Sequence, residues 1–532
     1  MPQYLLITTV IMFACIIFNK ISSKLGIPAL LAFILLGMFF GSDGVVQIPF
    51  SNYVFAEKIC SIALIFIMFY GGFGTKWSEA KPVATKAVLL STLGVVLTAG
   101  GVGLFCYYIL KISLWESMLI GSVISSTDAA SVFSILRSKR LNLKYGTASI
   151  LEVESGSNDP FAYMLTVVVL TIMGGGIAAK DVGYMLFAQI AYGIVIGVVI
   201  AYFALWVLKN FRFATSGFDA IFVLAIALSS YAVPSLLGGN GYLSAYIVGI
   251  ILGNRSIKNK KALVHFFDGV TGLMQMLIFF LLGLLSFPSQ LPKVALPALW
   301  IALFLTFVAR PIAVFLLMKP FRCKWNQQLF ISWGGLRGAA SIVFAALAKI
   351  SPVSTSYDVF HITFFIVLFS ILIQGSLIPY MAKKLDMIDA DEDVLKTFTD
   401  YTEDMPVQYI QFTIKKGHPW LGNKIEDILL PPETLLILLI RGTQNIVPKG
   451  GTVVEEGDTL ILSAKEWVNT EDVKLSELLL RKGHEWVGKA ISEISLEQDK
   501  LIIMILRSDE IIIPKGQVVL REKDILVMNE VQ

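Results

Sequence analysis

Residues 147–174 read TASILEVESGSNDPFAYMLTVVVLTIMG, a stretch long enough to cross a bilayer that carries Glu152, Glu154, Asn158 and Asp159 in its first half. A membrane helix needs about 20 mostly apolar residues, and an ionisable side chain within it costs several kcal/mol, which makes it a functional candidate by default. On a helix turning about 100° per residue, Glu154, Ser155, Asn158 and Asp159 fall within about 140° of arc. That face must meet protein or water. Two carboxylates and an amide are an expensive way merely to pack helices. Pro160 lacks an N–H, so it leaves the carbonyl of Gly156 without its usual partner and loosens the backbone beside Asp159.

The rest of the chain supplies the solvent for that helix. Of its 532 residues, 56% are apolar and only 15% charged, with a mean hydropathy of +0.73, far above what a water-soluble domain needs to fill its core. Residues 1–381 form one apolar segment after another, whereas 382–532 return to ordinary soluble composition. The reading divides the chain into a membrane domain (1–381), a linker (382–406) and two small domains (407–466 and 472–532). Apolar stretches near 4–18, 27–40, 59–73, 87–110, 114–136, 147–174, 182–208, 218–236, 240–253, 267–286, 294–318, 326–348 and 357–381 predict about thirteen spans. The first of them lacks the basic start and small-residue cleavage site of a signal peptide and reads as a membrane helix.

Loop charge tests that count, because Lys and Arg gather on the cytoplasmic side. Alternate loops carry Lys20 and Lys24; Lys76, Lys81 and Lys86; Arg137, Lys139, Arg140 and Lys144; Lys209 and Arg212; Arg255, Lys258, Lys260 and Lys261; and Lys319, Arg322 and Lys324. The intervening loops hold single lysines such as Lys111, Lys180 and Lys293. An odd number of spans follows, with the N-terminus outside and residues 382–532 in the cytoplasm, in the cell (inner) membrane. Cys15, Cys60, Cys106 and Cys323 show no metal or disulfide spacing and read as packing residues.

Two further polar clusters interrupt apolar runs: Ser125-Ser126-Thr127-Asp128 and Gly334-Gly335-Leu336-Arg337-Gly338. Both contain residues that tolerate unwinding, one in each half of the domain. Broken helices whose half-helix ends meet at the midplane mark the ion site of inverted-repeat transporters. Asp128 then offsets the positive N-terminus of one half-helix, and Arg337 the negative C-terminus of its counterpart. For Asp128 this supporting role is favoured over direct contact with an ion.

Thr127-Asp128, Glu154-Ser155…Asn158-Asp159 and Gly334-Gly335-Leu336-Arg337-Gly338, in that order, resemble the signatures of the cation–proton antiporter superfamily, in its sodium- or potassium/proton branch carrying Asn-Asp. The resemblance spans roughly residues 1–381. It implies a mainly α, thirteen-helix homodimer with inverted repeats, broken crossing helices and a core bundle that moves in elevator fashion. Residue by residue it implies that Asp159 binds proton and cation in turn, that Ser155 and the Thr127 carbonyl contribute oxygens, and that Asn158 fixes the geometry near Asp128. It further implies a structural ion pair of Glu154 with Arg337. Arg310, in Val-Ala-Arg-Pro, resembles a second basic residue of the core; the alternative is an Arg snorkelling from a helix end. Relatives often carry an acidic residue in the third span before a Gly-Gly pair, where this sequence has Tyr70 before Gly71-Gly72.

The chemistry agrees with the resemblance. A hard monovalent cation takes oxygen ligands, and a partly desolvated carboxylate holds its proton more tightly, so proton and cation compete for one group. Competition with alternating access is exchange. With Asn rather than a second Asp at 158, one charge titrates, and electroneutral one-for-one exchange of K⁺ or Na⁺ for H⁺ is expected.

The C-terminal part repeats without gaps: Lys416-Gly417-His418-Pro419-Trp420-Leu421-Gly422 recurs 66 residues on as Lys482-Gly483-His484-Glu485-Trp486-Val487-Gly488. Pro448-Lys449-Gly450 recurs as Pro514-Lys515-Gly516, and Asp458 as Asp524. β-rich runs ending in such turns predict two small α/β domains. They resemble the TrkA-C subdomain of modules that regulate potassium conductance, which implies control by a small ligand, with cyclic di-AMP the best guess. Arg441 and Arg507 are the phosphate partners to expect, or else exposed strand-end arginines. His418 and His484 read either as pH sensors or as structural turns.

A ligand-gated potassium channel or uniporter is the alternative, weakened because no span pair carries a Thr-Val-Gly-Tyr-Gly type filter. A membrane receptor with a vestigial ion site is the third reading. Nothing points to a nucleic-acid partner or a resident cofactor, and no phosphate-binding loop, metal motif or nucleophile constellation suggests an enzyme.

Overall fold

The structure is a computed structural model, and it describes residues 2–25, 29–138, 141–175, 179–211, 217–257, 259–389, 407–431, 433–442, 444–465, 473–494, 496, 500–507 and 510–531. Lys139, Arg140, Arg212 and Lys258 of the loop-charge pattern, and 390–406 of the linker, lie outside the described residues. The chain divides into two compact units, Met1–Glu403 and Asp404–Gln532.

Each apolar stretch of the first unit falls on a helix or a short chain of helices. In order they are α1 (Pro2–Leu25), α2 (Ala29–Phe40), α3 (Tyr53–Gly74), α4 (Trp77–Ala80), α5 (Ala84–Leu89), α6 (Val95–Tyr108), α7 (Leu114–Val123), α8 (Ala129–Ser138), α9 (Thr147–Met173) and α10 (Ala179–Asn210). There follow α11 (Phe218–Leu236), α12 (Gly241–Gly253), α13 (Lys260–Leu285), α14 (Leu291–Phe304), α15 (Arg310–Met318), α16 (Trp325–Trp333), α17 (Ala339–Ile350), α18 (Val359–Phe369) and α19 (Ile378–Lys384). Six of the described helical stretches are long and apolar enough to cross a membrane alone, or seven if the bent 359–384 pair counts as one. α7 and α8, like α16 and α17, are short because polar breaks separate them, whereas α9 runs unbroken for 27 residues and carries Glu152, Glu154 and Asp159 within it.

Side-chain size decides how closely the helices approach. α3 lies against α12 and α13, and α13 against α2. Gly72, Gly249 and Gly253 make the α3–α12 contact, where an added Cβ would come within 2.3 Å of a backbone oxygen at each position. α10 and α11 complete that bundle on α12. A second group packs α6 on α7, α7 on α9, and α14 on α18. Large apolar side chains on α1 and α10, among them Phe13, Ile16, Val199, Phe203 and Trp206, are turned outward, as lipid-facing residues must be.

Three helices widen into π turns at Leu90–Gly94, Leu305–Ala309 and Ser370–Gly375. Such turns shift the faces that follow them and recur at functional sites. Past α19 the chain does not leave at once. β2 (Ile388–Asp389) pairs antiparallel with β1 (Asn142–Leu143) in the loop between α8 and α9. Lys144 Nζ lies 2.9 Å from Asp386 Oδ1, and Met387 is buried against Val132, Leu136 and Leu143. The first residues of the expected linker are therefore part of the membrane unit.

In the second unit the first copy orders its strands β3-β6-β4-β5 and the second β7-β10-β8-β9, all antiparallel. The ranges are β3 (Val407–Thr413), β4 (Thr434–Arg441), β5 (Gln444–Ile446), β6 (Thr459–Lys465), β7 (Val473–Leu479), β8 (Lys500–Arg507), β9 (Glu510–Ile512) and β10 (Ile525–Val531). Every boundary in the second copy lies 66 residues beyond its counterpart. The α/β expectation is corrected here: the helical content among the described residues is a single 3₁₀ turn per copy, Ile425–Asp427 and Ile491–Glu493. The Lys-Gly-His segments form turns, with Gly417 and Gly483 at φ 87° and 90°.

Candidate functional site

Two unwound segments meet beside α9. The helix is interrupted from Ser125 to Asp128 between α7 and α8, and from Gly335 to Gly338 between α16 and α17. The Asp128 N–H donates to the Leu336 carbonyl at 2.7 Å, so each break satisfies part of the other. Serine, threonine, aspartate and glycine favour this, since their side chains or their small size offer the backbone alternatives to the helix.

The charged residues of the breaks cap half-helix ends. Asp128 accepts from the Ser131 hydroxyl at 2.6 Å and the Ser131 N–H at 3.3 Å, capping α8. Its carboxylate lies against Gly338, where an added Cβ would be 2.5 Å from Oδ2. One negative charge thus faces the N-terminal ends of α8 and α17, both favourable places for it. Arg337 turns the other way. Its Nη1 donates to the carbonyls of Ser125 at 2.9 Å and Ser126 at 2.5 Å, just beyond the C-terminus of α7. Its own N–H is held by Ser370 Oγ at 3.1 Å, on a π turn.

This geometry corrects the expected ion pair. Glu154 Oε1 is in contact with Arg310 Nη2 at 2.5 Å, both residues almost wholly buried, while Arg337 acts on Glu154 only at longer range. Two features direct Arg310 inward. It follows the π turn Leu305–Ala309, and Gly335 leaves room for its guanidinium, whose Nε would lie 2.8 Å from an added Cβ. Snorkelling is excluded for Arg310 by its burial.

Around Asp159 the oxygens converge. The Ser126 hydroxyl donates to Asp159 Oδ1, and Ser155 Oγ donates to the Thr127 carbonyl at 2.7 Å. Asn158 Nδ2 bonds Thr127 Oγ1 at 2.5 Å, on the residue next to Asp128. Asn158 Oδ1 is buried with no hydrogen-bond partner, an unmet acceptor of the kind a cation can satisfy. The structure therefore brings Asp159, Asn158, Ser155, Thr127 and Ser126 together, with Asp128, Glu154, Arg310 and Arg337 as the surrounding charges. No group of three His, Cys, Asp or Glu is found among the described residues. One carboxylate with hydroxyl, amide and carbonyl oxygens suits a hard monovalent cation that is released again.

Two residues escaped the sequence reading. Ser126 was quoted within its cluster without a role; its signal is the adjacent Thr127-Asp128. Asn240 donates to the Pro160 carbonyl at 2.7 Å and caps α12 through the Leu243 N–H at 3.0 Å. Tyr70 is not at the ion site: it packs with Phe69, Phe73 and Phe267, its hydroxyl 3.5 Å from Asp268 Oδ1.

Arg441 and Arg507 are not open phosphate ligands. Arg441 donates Nε and Nη2 to the two carboxylate oxygens of Asp458 at 2.9 and 2.8 Å, and Arg507 does the same to Asp524 at 2.8 and 2.7 Å. Their Nη2 atoms also reach the carbonyls of Val453 and Val519 at 2.8 Å. Burial alone pushes the Asp458 and Asp524 carboxyls up, but the arginine bonds and the backbone N–H groups of Glu455 and Arg521 outweigh it and hold both below the usual range. His418 and His484 accept from the N–H of Trp420 and Trp486 at 3.2 Å, and so hold the turns together.

Residues 9–384 match the sodium/hydrogen exchanger transmembrane family, and residues 409–466 and 475–528 each match the TrkA-C domain. A protein of Shewanella sp. (strain MR-4) named K(+)/H(+) antiporter NhaP2 is 32% identical over 470 residues, covering 87% of this chain and 81% of that one. K(+)/H(+) antiporter NhaP of Alkalimonas amylolytica is 34% identical over 467 residues, with the same coverage. The solved structure of the sodium proton antiporter MjNhaP1 from Methanocaldococcus jannaschii superposes with a TM-score of 0.63 at 25% identity, over 72% of this chain and 99% of that one. With the crossed breaks and the converging oxygens at Asp159, these matches establish that the chain belongs to the sodium/hydrogen exchanger family of membrane antiporters and carries tandem TrkA-C domains.

Proposed function

We propose that this protein exchanges K⁺ for H⁺ across the cell membrane through Asp159, with Na⁺ as the alternative cation. The observation that carries the reading is the buried carboxylate of Asp159, 7% exposed, set among the oxygens of Ser126, Ser155, Thr127 and Asn158, while the nearby Glu154 is tied to Arg310. One titrating charge with neutral ligands supports electroneutral one-for-one exchange. The potassium-named relatives favour K⁺.

The two helix groups give the exchange its physical basis. Asp159 lies on α9, in the group that holds both broken helices, and α9 is packed across from α12 and α3 of the other group. Movement of the first group against the second would carry the site between the two faces, the elevator motion of the thirteen-span reading. The protein works as a homodimer with its N-terminus outside and the TrkA-C tandem in the cytoplasm. The tandem senses a small ligand, cyclic di-AMP being the first to test. That ligand binds away from Arg441 and Arg507, whose bonds are internal. A channel is disfavoured because a lone deep carboxylate retards conduction.

The test is purified protein in liposomes containing a pH dye, with K⁺ or Na⁺ added at clamped zero voltage. Proton movement against the cation gradient is expected, and Asp159→Asn abolishes it. Cation flux without proton countermovement would overturn the exchange reading. Deleting residues 407–532 should remove any response to cyclic di-AMP; a response that survives deletion removes the tandem from regulation.

A further inference from the structure

A second polar assembly lies one turn beyond Asp159 on the same helix. Tyr163 follows Asp159 by four residues on α9 and therefore shares its face. Its ring meets that of Tyr242 on α12, centroids 5.0 Å apart, and Tyr242 meets Tyr231 on α11 at 4.8 Å. The phenol groups of Tyr231 and Tyr163 interact, as do those of Tyr231 and Tyr242, and Tyr242 reaches Ser61 on α3. The Ser61 hydroxyl donates to Glu57 Oε1 at 2.7 Å. Glu57 is half-buried near the start of α3, and its charge bears on Tyr163, Tyr231 and Tyr242. No cation pairs with it among the described residues.

This assembly joins the two helix groups, since Tyr163 belongs to the one holding Asp159 while Glu57, Ser61, Tyr231 and Tyr242 belong to the other. It also adjoins open space. Tyr163 lines a cleft of about 560 Å³ whose other walls include Val167, Thr171, Leu347 and Pro352. Tyr163 is the member of the assembly that borders this cleft; a carboxylate without a counter-charge attracts cations, and hydroxyl oxygens can replace hydration water as the ion sheds it. A purely structural acid within a span would be expected to have a basic partner.

We propose that Glu57, with the hydroxyls of Ser61, Tyr242, Tyr231 and Tyr163, forms a recruitment site where the transported monovalent cation begins to dehydrate before it reaches Asp159. The inference rests on the exchange reading, and in the orientation given above the site serves the outer face. Glu57 positions and concentrates the cation; the exchanging group is Asp159.

The experiment uses the full chain in right-side-out and everted membrane vesicles, with KCl or NaCl titrated against the proton response. Wild-type exchange that Asp159→Asn abolishes is established first; its absence removes the exchange reading and this inference together. Glu57→Gln is expected to raise the apparent KM for cation added to the outer face about 5-fold, with kcat within about twofold and the inner-face KM unchanged. Glu57→Asp should restore most of the affinity. Should Glu57→Gln fail to reach the membrane, Tyr231→Phe and Ser61→Ala carry the test, each raising the same KM by about twofold. A shift confined to the inner face supports recruitment and reverses the orientation. Unchanged KM at both faces, or an equal shift at both, overturns the inference.

Discussion

The same chemistry, an arginine against a carboxylate, is used in both units under opposite conditions. In the membrane unit Glu154 and Arg310 are 1% and 3% exposed, so neither charge can fall back on water. In the TrkA-C unit Asp458 and Asp524 are just as buried, but Arg441 and Arg507 keep 34% and 20% of their side-chain surface exposed. A guanidinium with one edge in water loses little when its partner goes, whereas a wholly buried one is stranded. The membrane pair is therefore an all-or-nothing element that holds α9 against α15, and the TrkA-C pairs are local ties that lock strand β4 or β8 to the turn before β6 or β10.

The comparison would break first at the membrane pair. Glu154→Gln or Arg310→Gln alone should cost about 3–5 kcal/mol by leaving an uncompensated buried charge. The readout is a large fall in melting temperature by size-exclusion chromatography after heating. The double substitution should recover much of that loss, and a double variant as unstable as either single would mean that the pair is not the unit.

A smaller effect is expected at the crossing. Gly338→Ala must displace the Asp128 carboxylate, 2.5 Å from the added carbon, an overpacking worth about 1–3 kcal/mol. Exchange should fall more than stability does, because the half-helix ends that frame Asp159 are shifted together. In the TrkA-C unit Asp458→Asn or Asp524→Asn removes a charge-assisted bond worth about 1.5–3 kcal/mol. Hydrogen exchange in the full chain should rise in the mutated copy's sheet alone.

Acid sharpens the same contrast. Asp458 and Asp524 have carboxyls held below their ordinary value in the folded state. Their contribution is complete above the unfolded value of about 3.9 and is lost as pH falls through the lowered folded value. Strands β4 and β8 should thus lose protection only under acid, below about pH 4. The smallest effect separates the two copies. The left-handed position at Gly457, φ 88°, is Lys523 in the second copy at φ 71°. Lys523→Gly should stabilise that copy by less than about 1 kcal/mol, seen as slower exchange in β10.

What the sequence made legible follows from solvent. Serine, threonine, glycine and charge inside apolar runs cannot be lipid-facing, and so both helix breaks and the polar face of 147–174 were readable before any coordinates. The partner of Glu154 was not, because 156 positions separate it from Arg310 in sequence, and the π turn that aims Arg310 inward leaves no composition signal. The arginine–aspartate ties were half-written. Arg441 and Asp458 recur together at the repeat offset, but their contact depends on the register that sets Ile440 opposite Thr459. The tandem was less readable in type than in position: the 66-residue period related every element of one copy to the other, whereas the helical part of the α/β reading shrinks to the 3₁₀ turns Ile425–Asp427 and Ile491–Glu493.

The short ladder of Asn142–Leu143 with Ile388–Asp389 also has a mechanical meaning. The chain on its way to the TrkA-C tandem is clasped to the loop that joins α8, which begins just after Thr127-Asp128, to α9, which bears Asp159. Loss of that ladder would free the exit of the membrane unit from the connection between the two helices that frame the ion site.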